Sequence, residues 1–560
     1  MIRNLLAVLA LLLAPVVTLS SAAAQGVVSS ADPRATAAGQ QILRDGGSAT
    51  DAAIAMMLAL TVVEPQSSGI GGGGFLIHHD AETAKLSTID GREKAPASAK
   101  PTRFLNADGS EMDFRTAWPG GLSVGVPGNI RLAADAHAKW GKLPWAKLFA
   151  PAITLADQGY QVNATLAGFL KNAPDQWADF PAARALYFVD GQPAPAGTTV
   201  RNPALARLLR DIAAKGPNAF YTGDNARAIV DAVAGSKRNP ATLTLADLAA
   251  YRATERPGVC RAYRQYRLCG MGPPSSGATT VFQILALLEP YDLKAMGPDN
   301  PMTWHLLGQA MQLAYADRDT WLGDADYVKV PVEGLLSPTY VARRRELISP
   351  FSAAPTYVAG NPPGSAAQQA TAPVLTEAGT THFVAVDEAG DVANWTSTVE
   401  SLFGSQLVAN GFILNNELTD FNFAPTENGK PVANAVAAGK RPLSSMSPTI
   451  AYGADGKPLL AVGSAGGRRI IMHVTKTLIG VLDFGLSAAD AIALPNLYFG
   501  NGALMVENNP RGQAIAAGLE RFGQPVRAVP LGSKLNAAHR TTTGWTGAAD
   551  PRGPGNTLQE

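Results

Sequence analysis

The chain has 560 residues, enough for a large buried core or for several domains of ordinary size. Lys and Arg total 46 against 45 Asp and Glu, so a formal net charge of +1 leaves no basic surplus for a nucleic-acid or anionic-membrane surface. Charged residues make up 16% and apolar residues 46%, a balance that excludes wholesale disorder, and 56 Gly with 40 Pro mark a turn-rich globular chain.

Residues 1–24 read as an export signal: a basic Arg3, an apolar run over 5–17, and small residues at Ser21-Ala22-Ala23-Ala24 with cleavage after Ala24. An uncleaved anchor is the other reading, but the run is shorter than the ~20 residues that cross a bilayer. The mature chain is therefore expected to be periplasmic or secreted, with no stable membrane insertion. Apolar spacing then predicts a helix over 35–44 that stops at Asp45-Gly46-Gly47. Ser48, Thr50 and Asp51 are placed to cap a second, buried helix over 52–63. The glycine run at 71–74 lacks the following Lys-Ser/Thr of a phosphate loop, so close backbone packing is expected there. Alternation at Phe75-Leu76-Ile77-His78 predicts a strand, with a turn at Asp80 and a second strand ending near Ile89.

Helical patterns follow over 128–140, 151–159, 203–214, 278–288 and 302–318. Between them, residues 259–269 read as two short strands around a tight turn. Cys260 and Cys269, the only two cysteines, fall within reach of a structural disulfide there, a buried pair of free thiols being the other reading. With no further cysteine and 7 His, neither a metal site nor a cofactor is expected. A segment over 352–372, rich in Ala, Pro, Gly and Ser, reads as an exposed linker. Beyond it, strands are expected over 381–387, 392–399, 412–415, 448–452 and 459–462, with a turn at 388–391 and a helix over 469–484. Strands and helices on both sides of the linker predict two sheets packed face to face with helices outside.

The chemistry is concentrated where the linker meets a strand, at Gly379-Thr380-Thr381-His382. A Thr hydroxyl at such a junction can attack the preceding carbonyl. An N→O acyl shift followed by hydrolysis then leaves a new N-terminal Thr. Gly379, lacking Cβ, can take the strained backbone such an attack requires. The freed α-amine, with a reference pKa of about 8, is suited to take the hydroxyl proton as general base. Taken alone, however, Gly-Thr is an ordinary strand start. Arg92 and Asp420 would likewise read as surface charges, Ser444-Ser445 as a turn and Gly466-Gly467 as a loop.

The surrounding blocks change that reading. They are Gly46-Gly47-Ser48-Ala49-Thr50-Asp51, Val63-Glu64-Pro65-Gln66, Pro273-Pro274-Ser275-Ser276-Gly277, Gly323-Asp324 and Thr380-Thr381-His382-Phe383. Leu414-Asn415-Asn416-Glu417-Leu418-Thr419-Asp420-Phe421, Arg441-Pro442-Leu443-Ser444-Ser445-Met446, Gly463-Ser464-Ala465-Gly466-Gly467 and Ala549-Asp550-Pro551-Arg552 complete the set. In this order they resemble the gamma-glutamyltransferase (glutathione hydrolase) family of N-terminal-nucleophile hydrolases over nearly the whole chain. The resemblance implies an α+β fold, a four-layer αββα sandwich of two stacked, mainly antiparallel sheets flanked by helices. It implies self-cleavage between Gly379 and Thr380 into a large subunit (25–379) and a small subunit (380–560) that stay together as a heterodimer.

Position by position, it implies Thr380 as the nucleophile and Thr398 as the hydroxyl that bonds it and supports processing. Arg92, with Ser444 and Ser445, would grip the substrate α-carboxylate. Asp420 and Glu417, with Glu400 as a further contact, would hold the α-ammonium. Gly466 and Gly467 would supply the oxyanion hole. A bidentate guanidinium suits one end of an amino-acid head group and carboxylates the other. The activity so implied transfers a gamma-glutamyl group from glutathione or related amides, through an ester on Thr380, to water or to an amino acid or peptide amine. His382 is expected to be a structural strand residue. The stretch 422–440 looks shorter than in enteric-bacterial members and has no Tyr, which points to a more open pocket.

Two other readings stand beside this one. A glutaryl-type cephalosporin acylase uses the same scaffold, but glutaryl has no α-ammonium to pair with Glu417 and Asp420. A non-catalytic binding protein would keep the pocket without the reaction, which the intact Thr380, Thr398 and Gly466-Gly467 argue against.

Overall fold

The structure, a computed structural model, describes residues 26–172, 175–354, 356–366, 379–500 and 502–560. The export signal expected over 1–24 lies outside the described residues, as does part of the linker expected over 352–372.

Two large sheets organise the chain, and every strand pairing within them is antiparallel. The first has seven strands in the spatial order Asn556–Gln559, Val27–Ser30, Gly379–Val386, Val392–Glu400, Gly73–Asp80, Lys85–Gly91 and Thr254–Glu255. The second has six, in the order Gly544–Ala549, Asn536–Thr541, Pro458–Gly463, Thr449–Tyr452, Tyr266–Gly270 and Val259–Tyr263. Both sheets contain strands from the two sides of Gly379, interleaved in the seven-stranded sheet and side by side in the six-stranded one. Neither part of the chain can complete a sheet by itself.

The Gly379–Val386 strand shows why these residues are central. All eight of its residues are buried. Phe383 and Ala385 join a core with the helices Pro33–Arg44 and Ala49–Val63, while Val384 and Val386 join a second core with Ile450, Val462 and the helices Gly277–Leu288, Pro301–Trp321 and Arg469–Leu482. A strand covered on both faces reads as a continuous apolar run, as Phe383-Val384-Ala385-Val386 does. Polar groups caught between the sheets are paired across the gap. Asn394 donates to the carbonyls of Thr449 at 3.1 Å and Val462 at 3.3 Å, and Asn536 donates to the carbonyl of His382 at 3.0 Å.

The Ala49–Val63 helix begins with a reciprocal cap, the Asp51 amide donating to Ser48 Oγ and the Ser48 amide to the Asp51 carboxylate, each at 3.1 Å. All fifteen of its residues are buried. The glycine run that follows packs as tightly as expected: a Cβ on Gly71 would lie 1.9 Å from the carbonyl oxygen of Ile413, and one on Gly72 1.9 Å from that of Thr398. Cys260 and Cys269 sit directly opposite each other on the hairpin at the edge of the six-stranded sheet, joined as a disulfide with Cα atoms 4.1 Å apart.

Candidate active site

The Gly379–Thr380 peptide enters the middle of the seven-stranded sheet. Gly379 pairs with Glu400 and Thr381 with Ser397, with a register irregularity between them that sets Thr380 out of the regular ladder. Thr398 donates its hydroxyl to the Gly379 carbonyl at 2.8 Å and accepts the Glu400 amide at 2.8 Å. Its oxygen is 3.1 Å from Thr380 Oγ, and the Thr380 hydroxyl also lies against the Gly379 carbonyl oxygen. Both threonines are buried. A hydroxyl therefore stands beside a peptide carbonyl that a second hydroxyl polarises.

Gly379 corrects one expectation. Its φ lies outside the left-handed region, so the glycine is not there for strained backbone. A Cβ at this position would instead sit 2.8 Å from the carbonyl oxygens of Glu400 and Ser401 and 3.0 Å from that of Gln66. The strained residue is across the ladder: Glu400, with φ of 78°, turns the chain sharply after Thr398. Its carboxylate accepts from Ser401 Oγ and Asn416 Nδ2, and the Asn416 amide donates to the Val399 carbonyl at 3.2 Å. These bonds fasten the short helical turn Glu417–Asp420 to the end of the strand that carries Thr398.

Arg92, at the end of the Lys85–Gly91 strand, spans that turn. Its guanidinium pairs with both Glu417 and Asp420 and donates to the carbonyls of Pro442 at 3.2 Å and Leu443 at 3.0 Å. The groups assigned to opposite ends of an amino-acid head group are thus in direct contact with each other. All three are buried, not surface charges. Ser444 and Ser445 follow immediately and are buried as well. Glu93 adds another carboxylate facing that of Glu417, and among the described residues no N–H or O–H group donates to either Glu93 oxygen or to Glu417 Oε2.

The cluster is short of positive charge. Burial raises the Glu417 carboxyl well above its ordinary range against the pull of Arg92, with Glu93, Asp420 and Glu400 pushing the same way as burial. Burial likewise raises Asp420, which Arg92 draws back, and lifts Glu93 to about 7. A cation delivered here would relieve an arrangement that otherwise costs several kcal/mol per unpaired buried ion.

Gly466 and Gly467 form the turn between the Pro458–Gly463 strand and the Arg469–Leu482 helix, with φ of 125° and 58° that only glycine takes readily. Among the described residues neither amide has a hydrogen-bond partner. Both lie at a helix N-terminus, where free N–H groups favour developing negative charge. His473 props the turn from below, its Nδ1 3.0 Å from Ser464 Oγ and 3.2 Å from the Ala465 carbonyl oxygen. His382 is a buried strand residue as expected. Its Nδ1 is 2.9 Å from Thr396 Oγ, and burial lowers its pKa to about 3, which keeps the ring neutral.

The stretch 422–440 closes on itself through a two-stranded ribbon, Thr426–Glu427 with Lys430–Pro431. Asn434 ties it to the site, donating to the Asp420 carbonyl at 2.7 Å and accepting the Leu443 amide at 2.9 Å. Sequence reasoning passed over Glu93, Asn416, Asn434 and His473. Only Glu93, next to Arg92, and Asn416, inside a quoted block, carried any signal.

The chain matches the profile of the family described as Gamma-glutamyltranspeptidase over residues 35–559. It belongs to that family. Glutathione hydrolase proenzyme of Bacillus subtilis (strain 168) is 37% identical over 481 residues, 84% of this chain and 80% of the relative. Acylase ACY 1 proenzyme of Pseudomonas sp. (strain SE83) is 33% identical over 539 residues, covering 95% and 93% of the two chains. Among solved structures, cephalosporin acylase from Bacillus halodurans superposes with a TM-score of 0.85 at 28% identity, covering 96% of each chain. The gamma-glutamyltranspeptidase assignment and the antiparallel α+β architecture agree.

Proposed function

We propose that this family member is a self-cleaving gamma-glutamyltransferase and glutathione hydrolase with Thr380 as its nucleophile. The chain is an enzyme precursor of the glutathione hydrolase type. In processing, Thr380 Oγ attacks the Gly379 carbonyl carbon while Thr398 stabilises the carbonyl oxygen. The C–N bond breaks as the acyl group moves to oxygen, and water hydrolyses the ester to release the Gly379 carboxylate and the Thr380 α-amine. The products are a large subunit, 25–379 after loss of the export signal over 1–24, and a small subunit, 380–560. They stay paired because each sheet draws strands from both. In this reading the two sheets and their helices form a four-layer αββα sandwich of the N-terminal-nucleophile hydrolase type.

In turnover the freed amine takes the Thr380 hydroxyl proton and the oxygen attacks the γ-carbonyl. Gly466 and Gly467 amides hold the oxyanion, and the amine of the leaving group departs with the proton. Water or an acceptor amine then removes the gamma-glutamyl group from the ester. Arg92, Ser444 and Ser445 receive the α-carboxylate, and Glu417, Asp420 and Glu400 the α-ammonium. Among the described residues no helix is long and apolar enough to cross a membrane, and the signal-like start supports export to the periplasm or medium.

The observation that carries this reading is the excess of carboxylates over cations around Arg92, where Glu93, Glu417 and Asp420 gather and no N–H or O–H group among the described residues donates to Glu417 Oε2. The acylase relatives favour a glutaryl donor as the second reading. A glutaryl chain brings no cation to Glu417 and Asp420, which ranks it below gamma-glutamyl. Turnover of gamma-glutamyl and glutaryl anilides by the purified protein decides between them. Faster gamma-glutamyl cleavage is expected, and faster glutaryl cleavage reverses the assignment.

A further inference from the structure

We propose that Arg318 is a positioning residue that holds the head-group clamp and the oxyanion turn on one rigid helix. The inference rests on the gamma-glutamyl reading above and extends it to a residue outside the assigned site. Arg318 lies near the end of the Pro301–Trp321 helix, and its side chain is 0% exposed. Each of its three nitrogens has a different partner. Nη2 donates to Ser445 Oγ at 2.8 Å, Nε to Ser276 Oγ at 2.9 Å, and Nη1 to Asp319 Oδ1 at 2.9 Å.

The first two contacts set the clamp. A hydroxyl that accepts from a guanidinium keeps its single hydrogen for donation. Ser445 is thereby fixed as a donor, the role an anionic carboxylate requires. Ser276 in turn donates through its hydroxyl to the Ser444 carbonyl at 2.7 Å and through its amide to the same oxygen at 2.8 Å. Both serines of the clamp are thus anchored through Arg318. Its charge is also among those that draw Asp420 back from the rise that burial imposes.

The third contact reaches the oxyanion turn. Asp319 receives Arg468 in a two-pronged ion pair, Nη1 at 2.8 Å and Nη2 at 2.7 Å, and Arg468 follows Gly467 directly. Tyr315, one turn earlier on the same helix, donates its hydroxyl to the Arg468 carbonyl. One helix therefore fixes both the point where an α-carboxylate docks and the turn where the γ-carbonyl becomes an oxyanion.

The two arms give separable effects. Arg318→Met removes the clamp arm and one contact to Asp319 but leaves the Asp319–Arg468 ion pair and the Tyr315 bond that hold the oxyanion turn, and loss of hydrogen bonds to a charged group raises KM for a gamma-glutamyl anilide about 10- to 100-fold. Asp319→Asn loosens the oxyanion turn and leaves Ser445 tied, so kcat falls about tenfold or more while KM stays within about twofold. Both variants are expected to split into two chains on a denaturing gel, because neither residue touches Gly379 or Thr380. Should Arg318→Met not yield processed protein, Arg318→Lys, which keeps the charge but not the fork, carries the same comparison with a smaller rise in KM. Wild-type KM in the Arg318 variant, or an Asp319→Asn variant whose KM rises while kcat holds, overturns the proposal. Absence of gamma-glutamyl turnover in the wild type, assayed alongside, overturns this role and the gamma-glutamyl reading together.

Discussion

Thr398 donates its one hydroxyl hydrogen to the carbonyl of Gly379 at 2.8 Å while its oxygen stands 3.1 Å from Thr380 Oγ. In the proposed self-cleavage the same side chain would polarise the bond to be broken and contact the group that attacks it. A single preorganised donor on a developing oxyanion is worth roughly 10²–10³ in rate. Thr398→Ala is expected to slow precursor splitting by about that factor, and Thr398→Ser to restore most of it. A time course on denaturing gels reads this directly, and unchanged splitting in Thr398→Ala contradicts the assignment.

Gly379→Ala tests the junction from the other side. Its methyl would meet the carbonyl oxygens of Glu400, Ser401 and Gln66 at 2.8, 2.8 and 3.0 Å. Moving three backbone carbonyls displaces the Gly379 carbonyl from Thr398, so the variant is expected to remain a single chain. Splitting at the wild-type rate would show that the close packing does not set the geometry.

In the proposed assignment Asp420 is the residue that would separate gamma-glutamyl from glutaryl chemistry. Asp420→Asn is expected to lower kcat/KM for a gamma-glutamyl anilide about 100-fold, the scale of a lost charge-assisted contact. A glutaryl anilide, which has no ammonium, should be affected far less. Equal losses on both substrates would mean that Asp420 shapes the pocket without holding the amine.

The pH dependence of stability has a definite sign at Glu93. Burial raises its carboxyl from 4.5 to about 7, so the folded chain holds this proton more tightly than the unfolded one. The contribution of Glu93 is most favourable below about 4.5 and is lost as pH rises toward 7. Glu93→Gln is therefore expected to raise Tm above pH 7 and to match the wild type near pH 4, as followed by thermal melting across that range. A Tm lowered equally at every pH would overturn the charge argument.

Much of the fold was legible because local patterns agreed with it. The helix expected over 52–63 begins at Ala49, since Ser48 and Asp51 form the cap that the sequence pointed to. The helix expected over 35–44 extends back to Pro33, where Asp32 caps it and contributes nothing to an apolar period. The strand expected from 381 starts at Gly379, because the irregular pairing with Glu400 has no signature in one strand alone. Short ribbons such as Phe188–Val189 with Gln192–Pro193 were missed, two residues being too few for any period.

The site was less legible from residues alone. Arg92 contacts Glu417 and Asp420 across 325 and 328 positions, and nothing near Arg92 in sequence signals that its charge is buried and paired. The family blocks supplied what periodicity lacked. Arg318 stayed hidden for a related reason: on a helix buried along most of its length, an arginine looks like an intrusion until its three partners are seen.

N-terminal sequencing of the purified, active protein tests the central claim most directly. Two chains are expected, one of them beginning Thr-Thr-His-Phe at Thr380. Full gamma-glutamyl turnover by material in which no chain begins there would contradict it.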